Sequence, residues 1–163
     1  MRYGLYLETD IGRLYLAQEG DFLVSLGNTG ASETDVLMET PFLKRVAQEI
    51  MEFLAGSRRS FDIPLHMEGT DFQKRVWQAL VEIPYGETRS YGEIAERIGC
   101  HGGARAVGQA CNRNPIMIIV PCHRVIGGNG RLVGFGGGLD MKEKLLFLEQ
   151  HNVKQDRNEE NYV

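Results

Sequence analysis

The run Asn114-Pro115-Ile116-Met117-Ile118-Ile119-Val120-Pro121-Cys122-His123-Arg124-Val125 carries an unbroken apolar stretch straight into a thiol. Its apolar part reads as a buried strand with Cys122 at its mouth. Pro121 fixes its own φ and biases Val120 toward extended geometry, so the chain direction entering Cys122 is constrained. A cysteine reacts as thiolate, and with a free pKa of about 8.5 it needs a neighbouring base or cation. His123 and Arg124 offer one of each. Taken alone, the Cys-His pair leaves the plainer reading open: most free cysteines are small buried hydrophobes, and neighbours in a strand face opposite ways.

Upstream of this run, Thr70-Asp71-Phe72-Gln73 fits a capping box, which opens a helix to about Val81 with Phe72, Val76, Trp77 and Leu80 as its apolar stripe. Two short helices follow, roughly Tyr91 to Ile98 and Ala104 to Asn112, separated by Gly99, Cys100, His101, Gly102 and Gly103. That is helix-turn-helix spacing. Downstream, Val125-Ile126 and Leu132-Val133 flank Gly127-Gly128-Asn129-Gly130 as a hairpin, a wing beside the two helices. Leu139 to Gln150 reads as an amphipathic helix, and the polar residues 152–163 as a frayed, flexible tail.

The first third alternates apolar and polar residues over Arg2 to Glu8, Gly12 to Gln18 and Phe22 to Leu26, the pattern of an antiparallel meander. Thr40-Pro41 then starts a helix with Phe42, Val46, Ile50 and Phe53 on one face, ending at Gly56, and Phe61 to Leu65 returns toward the sheet. His66-Met67-Glu68-Gly69 has no strong period and is the expected boundary. The expected organisation is a sheet domain over 1–66, a second domain over 70–151 that carries the two-helix pair and the Cys122 run, and the tail over 152–163.

With 42% hydrophobic and 25% charged residues in 163, neither general disorder nor a membrane protein is a good description. Three cysteines, Cys100, Cys111 and Cys122, an odd count, suit a reducing compartment, hence the cytoplasm. They lack metal-ligand spacing, so no metal is expected. The net charge of -4 argues against bulk electrostatic coating of nucleic acid. Between Arg89 and Arg131, however, Arg97, Arg105, Arg113 and Arg124 also occur, opposed only by Glu93 and Glu96, with no lysine. Arginine forks suit phosphate oxygens, although scattered arginines are more often a solvated face. Ala104-Arg105-Ala106-Val107-Gly108-Gln109-Ala110 makes a thin helix able to approach DNA closely, and its small side chains have little with which to read a major groove.

Pro121-Cys122-His123-Arg124-Val125 preceded by Asn112-Arg113-Asn114-Pro115, together with Ile83-Pro84-Tyr85-Gly86, Ser90-Tyr91, Ala104 to Gly108 and Gly137-Gly138-Leu139, resembles the O6-alkylguanine-DNA alkyltransferases in order from about Thr70 to Glu149. The resemblance implies an α/β (α+β) protein with a ribonuclease-H-like antiparallel sheet and helix, then a winged-helix-like alkyltransferase domain. It implies single-turnover transfer of an alkyl group from O6-alkylguanine, and from O4-alkylthymine, in double-stranded DNA to Cys122, by a monomer without cofactor or membrane attachment. By the same resemblance His123 takes the thiol proton through water, Glu149 orients His123, Asn114 braces the active-site turn and Tyr91 donates to guanine N3. Arg105 fills the space of a rotated-out nucleotide. Ala104, Ala106, Gly108, Gln109, Arg113 and Arg124 belong to the DNA-binding surface, and Phe135, Gly136, Gly137 and Lys142 to the pocket. Relatives carry tyrosine then serine where this chain has Phe135 and Gly136, so a wall is kept and two donors are lost. Lys142 reads equally well as a surface lysine.

Other classes stay open on the sequence alone. A sequence-specific regulator can use the same two helices, a damage sensor can flip the base without chemistry, and a Cys-His hydrolase would ignore DNA. An intact Cys122 weighs against the sensor.

Overall fold

The computed structural model describes residues 1–130 and 138–161. The chain is mixed α+β and divides into two compact units, Met1–Glu68 with Pro115–Ile119, and Gly69–Asn114 with Val120–Val163.

In the first unit, β1 (Arg2–Thr9), β2 (Gly12–Glu19) and β3 (Phe22–Gly27) form the meander that alternation predicts, each strand ending within a residue of the predicted bound. A two-residue strand the pattern does not announce, β4 (Val36–Leu37), pairs parallel to β1 and gives the order β3-β2-β1-β4. Side-chain bonds hold the loop before it: the Tyr15 hydroxyl donates to Asp35 at 2.5 Å, and Ser32 donates to the same carboxylate. Helix α1 (Pro41–Leu54) starts where Thr40 accepts from the Leu43 amide at 3.0 Å. It buries Leu43, Val46, Ile50 and Phe53, with Leu43 taking the place expected of Phe42.

The apolar run after Asn114 corrects the strand expectation. Only Ile116 bridges to Leu26, through Leu26 N to Pro115 O and Met117 N to Leu26 O, both 2.9 Å. The chain then turns, with Ile118 at φ +73. A continuous apolar run reports burial without reporting backbone direction, and Ile116, Met117 and Ile118 are indeed buried. A β-branched residue at positive φ is strained, by about 1–3 kcal/mol, and persists only when its surroundings hold it.

The second unit begins with α2 (Asp71–Val81), whose capping box between Thr70 and Gln73 is fully formed. The short strand β5 (Arg89–Ser90) leads into α3 (Tyr91–Arg97), itself opened by a Ser90–Glu93 capping box. After the turn comes α4 (Ala104–Asn112). Trp77 Nε1 donates to Ala110 O at 2.9 Å, tying α2 to α4. A single 3-10 turn, Cys122–Arg124, precedes β6 (Val125–Ile126), which pairs parallel to β5. The second arm of the expected wing, Leu132-Val133, lies outside the described residues.

Helix α5 (Leu139–Asn161) runs well past Gln150, where apolar periodicity ends, so most of the expected tail is helical. Tertiary contacts carry it further: Asn152 Nδ2 donates to the Tyr85 hydroxyl at 2.9 Å, and Val153 lies over Gly86. Gly86 is required there twice, by a φ of +80 and because a Cβ would come within 2.4 Å of Val153.

Candidate active site

Cys122 stands at the first position of the 3-10 turn, 4% exposed. Asn114 Nδ2 donates both to Val120 O at 2.8 Å and to Cys122 Sγ at 3.3 Å, so one amide braces the turn and touches the sulfur. Burial pushes the Cys122 thiol above its ordinary pKa, opposed by the Asn114 bond and the nearby Lys142 charge. At rest the group is therefore a protected thiol rather than a standing thiolate.

His123 is completely buried, and its Nε2 lies 2.5 Å from Glu149 Oε2. Burial lowers the imidazole pKa, against the raising influence of Glu149. Glu149 also accepts from Arg124 Nε at 2.8 Å, from Arg124 Nη2 at 3.0 Å and from the Gly86 amide at 2.9 Å. Burial raises the pKa of this carboxyl, but the bonds from His123 and Arg124 outweigh it and hold the pKa at about 2. An ionised carboxylate only accepts, so Nε2 must carry the ring proton and Nδ1 is left as the lone-pair nitrogen. Nδ1 has no hydrogen-bond partner among the described residues. A buried imidazole with that nitrogen open is a base awaiting a proton.

Tyr91, at the start of α3, is 9% exposed, and burial pushes its pKa up. Its hydroxyl accepts from Lys142 Nζ at 3.4 Å. Lys142 is fully buried, which overturns the surface-lysine alternative, and burial lowers its pKa against the influence of Cys122 and Cys111. Cys111 is buried as well, its thiol pushed up to about 12 by desolvation and by Cys122. It sits near the reactive sulfur, a placement no spacing in the chain announces.

On α4, Arg105, Ala106, Gln109 and Asn112 are exposed, as is the C-cap Arg113, while Val107, Ala110 and Cys111 face inward. Ala104 and Gly108 are half-buried, and a Cβ on Gly108 would meet the Tyr91 ring at 3.8 Å. Arg105 and Arg113 make no ion pair among the described residues. The rest of the expected basic surface is thinner than the residue count suggests. Arg97 makes two bonds to Glu82, at 3.0 and 2.9 Å, and Arg89 bonds Glu87 at 3.1 Å. Arg124 leaves that surface altogether: it is buried, bound to Glu149 and to Ile83 O at 2.8 Å. Phe135, Gly136 and Gly137 lie outside the described residues.

Family models match nearly the whole chain, the ribonuclease-like domain of 6-O-methylguanine DNA methyltransferase over residues 1–67 and its DNA-binding domain over residues 71–151. The chain belongs to the 6-O-methylguanine DNA methyltransferase family. Among relatives, it is 50% identical to the methylated-DNA–protein-cysteine methyltransferase of Mycobacterium leprae, over 90% of this chain and 92% of that one. It is 51% identical to that of Methanosarcina acetivorans, over 91% and 98%. The crystal structure of Mycobacterium tuberculosis OGT in complex with DNA superposes with a TM-score of 0.86 at 46% identity, covering 92% of this chain and 94% of that one.

Of the residues singled out for this methyltransferase chemistry, the fold brings Asn114 to Cys122, His123 to Glu149 and Tyr91 to Lys142. It adds the Gly86 amide, which sequence reasoning missed as part of the site, and it puts Arg124, expected both beside the thiol and on the DNA-binding surface, against Glu149 instead. The Gly86 amide was hidden because a backbone donor has no sequence signature beyond a glycine in Pro84-Tyr85-Gly86. Arg124 was misplaced because an arginine beside other arginines looks like surface.

Proposed function

We propose that this protein repairs DNA by direct reversal, moving the alkyl group of O6-alkylguanine, and of O4-alkylthymine, onto Cys122 Sγ, once per molecule. The observation carrying the reading is the buried Cys122 thiol, contacted by Asn114, in a turn whose next residue presents an open Nδ1 backed by Glu149. In the proposed step the Cys122 proton passes through a water to His123 Nδ1, and Glu149 stabilises the imidazolium that results. The thiolate then attacks the alkyl carbon in line. A carbon–sulfur bond forms, the carbon–O6 bond breaks, and its electron pair leaves on the purine. Tyr91 donates to guanine N3 as that charge develops, with the Lys142 ammonium behind its hydroxyl. Asn114 holds the turn in register.

A guanine inside a duplex is out of reach of a buried sulfur, so the nucleotide must rotate out of the stack. In this reading the exposed face of α4 lies in the minor groove, Arg105 takes the vacated space, and Ala104, Ala106, Gly108 and Gln109 allow close approach with Arg113 on a phosphate. The protein acts as a monomer in the cytoplasm, with 1–66 as sheet domain and 70–151 as the repair domain.

The product is a thioether, with no acidic proton and no good leaving group, so each molecule acts once. Intact-protein mass after mixing with an O6-methylguanine duplex should rise by one methyl group, on Cys122, with lesion consumed one for one. Repeated turnover, or no mass change while one DNA sequence is bound far above others, would favour a hydrolase or a regulator instead.

A further inference from the structure

Glu149 is buried, and its two oxygens accept bonds from His123 Nε2, Arg124 Nε, Arg124 Nη2 and the Gly86 amide. Two of those four come from one guanidinium that grips both oxygens, Nε on Oε1 and Nη2 on Oε2. The third arm of the same fork, Nη1, donates to Ile83 O at 2.8 Å. Its Cζ lies 5.6 Å from the centroid of the Tyr85 ring, whose hydroxyl is bound by Asn152. Arg124 thus ties three pieces of chain together: its own 3-10 turn, the Ile83 to Gly86 turn and α5. A carboxylate free to rotate could present either oxygen, or a protonated face, to His123. Held this way it can present only one ionised oxygen, and the imidazole is restricted to the tautomer with its proton on Nε2.

We propose that Arg124 is a positioning residue for alkyl transfer, acting through Glu149 to hold His123 as the Nε2-protonated tautomer and so keep Nδ1 available to the Cys122 proton. This rests on the repair reading above. Arg124 touches neither the sulfur nor a substrate, and its role is the one an orienting carboxylate plays for a catalytic histidine, moved one step further out. Arginine is needed rather than lysine, because only a planar fork reaches both oxygens and the Ile83 carbonyl together.

The charges facing His123 are Glu149 and Lys142 on α5 and Arg124 on its own turn, while the buried face of α2, Val76, Trp77, Ala79 and Leu80, has no titratable group. Arg124 opposes protonation of His123, and Glu149 favours it. Removing the guanidinium therefore lets His123 hold a proton at higher pH, where it no longer serves as base. The acid limb of the rate profile should move up.

The test is single-turnover reaction with free O6-benzylguanine from pH 5 to 9, which needs no DNA contact, with nitrogen NMR of the His123 ring in the same samples. In Arg124→Gln the rate midpoint should rise by about half a pH unit or more. In Arg124→Lys the midpoint should stay near that of the unchanged protein while the rate falls about tenfold, the usual scale for losing an outer orienting partner. If the arginine were merely structural, Arg124→Gln would lower the rate equally at every pH and leave the midpoint in place, and that result in Arg124→Gln overturns the proposal. Should Arg124→Gln not fold, the ring spectra of Arg124→Lys decide. A mixture of tautomers supports the assignment, and a single Nε2-protonated form as in the parent protein rejects it. If the parent protein takes up neither the benzyl group nor the methyl group of an O6-methylguanine duplex, the repair reading falls, and the ring spectra still judge whether Arg124 sets the tautomer.

Discussion

Two arginines 19 positions apart have opposite surroundings: Arg105 stands exposed on α4 with no ion pair among the described residues, and Arg124 is buried with its charge shared between Glu149 and a carbonyl. An exposed, unpaired guanidinium has its donors free for a ligand. A buried one has spent them on the protein and cannot be withdrawn without leaving a carboxylate uncompensated. The contrast separates two parts of this repair protein, a surface proposed to find DNA and an interior proposed to prepare a thiol, and each prediction tests whether that separation holds.

The largest effect belongs to the interior. Cys122→Ser should abolish alkyl transfer, measured by intact mass on a lesion duplex, while leaving duplex affinity within about threefold, because the exposed face of α4 does not include the sulfur. A mutant that still transfers at near the normal rate would move the acceptor elsewhere. One that loses affinity along with transfer would show that the interior and the surface are coupled.

Next comes the buried charge network. Glu149→Gln leaves Arg124 without its carboxylate and faces His123 with a neutral amide in place of an ionised acceptor, and breaking a buried pair from one side costs about 3–5 kcal/mol. The pH dependence of urea unfolding gives the sign. His123 has a lowered folded pKa, so the unfolded chain binds the extra proton first, and stability falls as pH drops below about 6.5. Glu149 is lowered from 4.5 to about 2, so its contribution is complete above pH 4.5 and is lost as pH falls toward 2. The second loss should vanish in Glu149→Gln. A stability curve from pH 6 to 2 that is the same in both proteins would mean that the network carries no folding energy.

How much of this was legible in the chain differs between the same two regions. Alternation located β1, β2 and β3, and the Thr70–Gln73 box located α2, because both signals are local and periodic. Helix α4 was legible for the same reason, bounded by glycines on one side and Asn112 on the other. The interior was less so. Ile116 to Val120 looked like a strand because burial without alternation says nothing of direction, whereas a single bridge and a turn at Ile118 suffice to bury it. Lys142 read equally well as pocket or surface, and Arg124 as a DNA-binding residue or a cation for the thiol, because their burial depends on partners far along the chain, Tyr91 for one and Ile83 with Glu149 for the other. The roles proposed for His123 and Glu149 came from family resemblance, since a separation of 26 positions carries no signal that the two will meet.

Arg105→Ala should cut the repair rate in duplex DNA at least tenfold more than reaction with free O6-benzylguanine. Filling a vacated base position matters only where there is a stack to open, and unstacking costs a few kcal/mol. Equal losses on both substrates would place Arg105 in the chemistry or the fold, and the contrast with Arg124 would collapse.

The smallest effect sharpens the comparison most finely, because it asks whether pairing rather than position decides which arginines reach phosphate. Each phosphate contact made by a basic side chain contributes about 0.9 to the slope of log affinity against log salt on duplex DNA. Arg113 is exposed and unpaired among the described residues, so Arg113→Ala should lower that slope by about one contact. Arg97 is also exposed, yet it already makes two bonds to Glu82, and an arginine held by a carboxylate releases no counterion until that bond is broken. Arg97→Ala should leave the slope unchanged and cost about 0–1 kcal/mol of stability, the usual worth of a surface pair. Binding isotherms over a salt series on one unmodified duplex measure all of this without any chemistry. Equal slope changes for the two variants would mean that DNA draws Arg97 away from Glu82, and that the usable basic surface extends from α4 onto the end of α3.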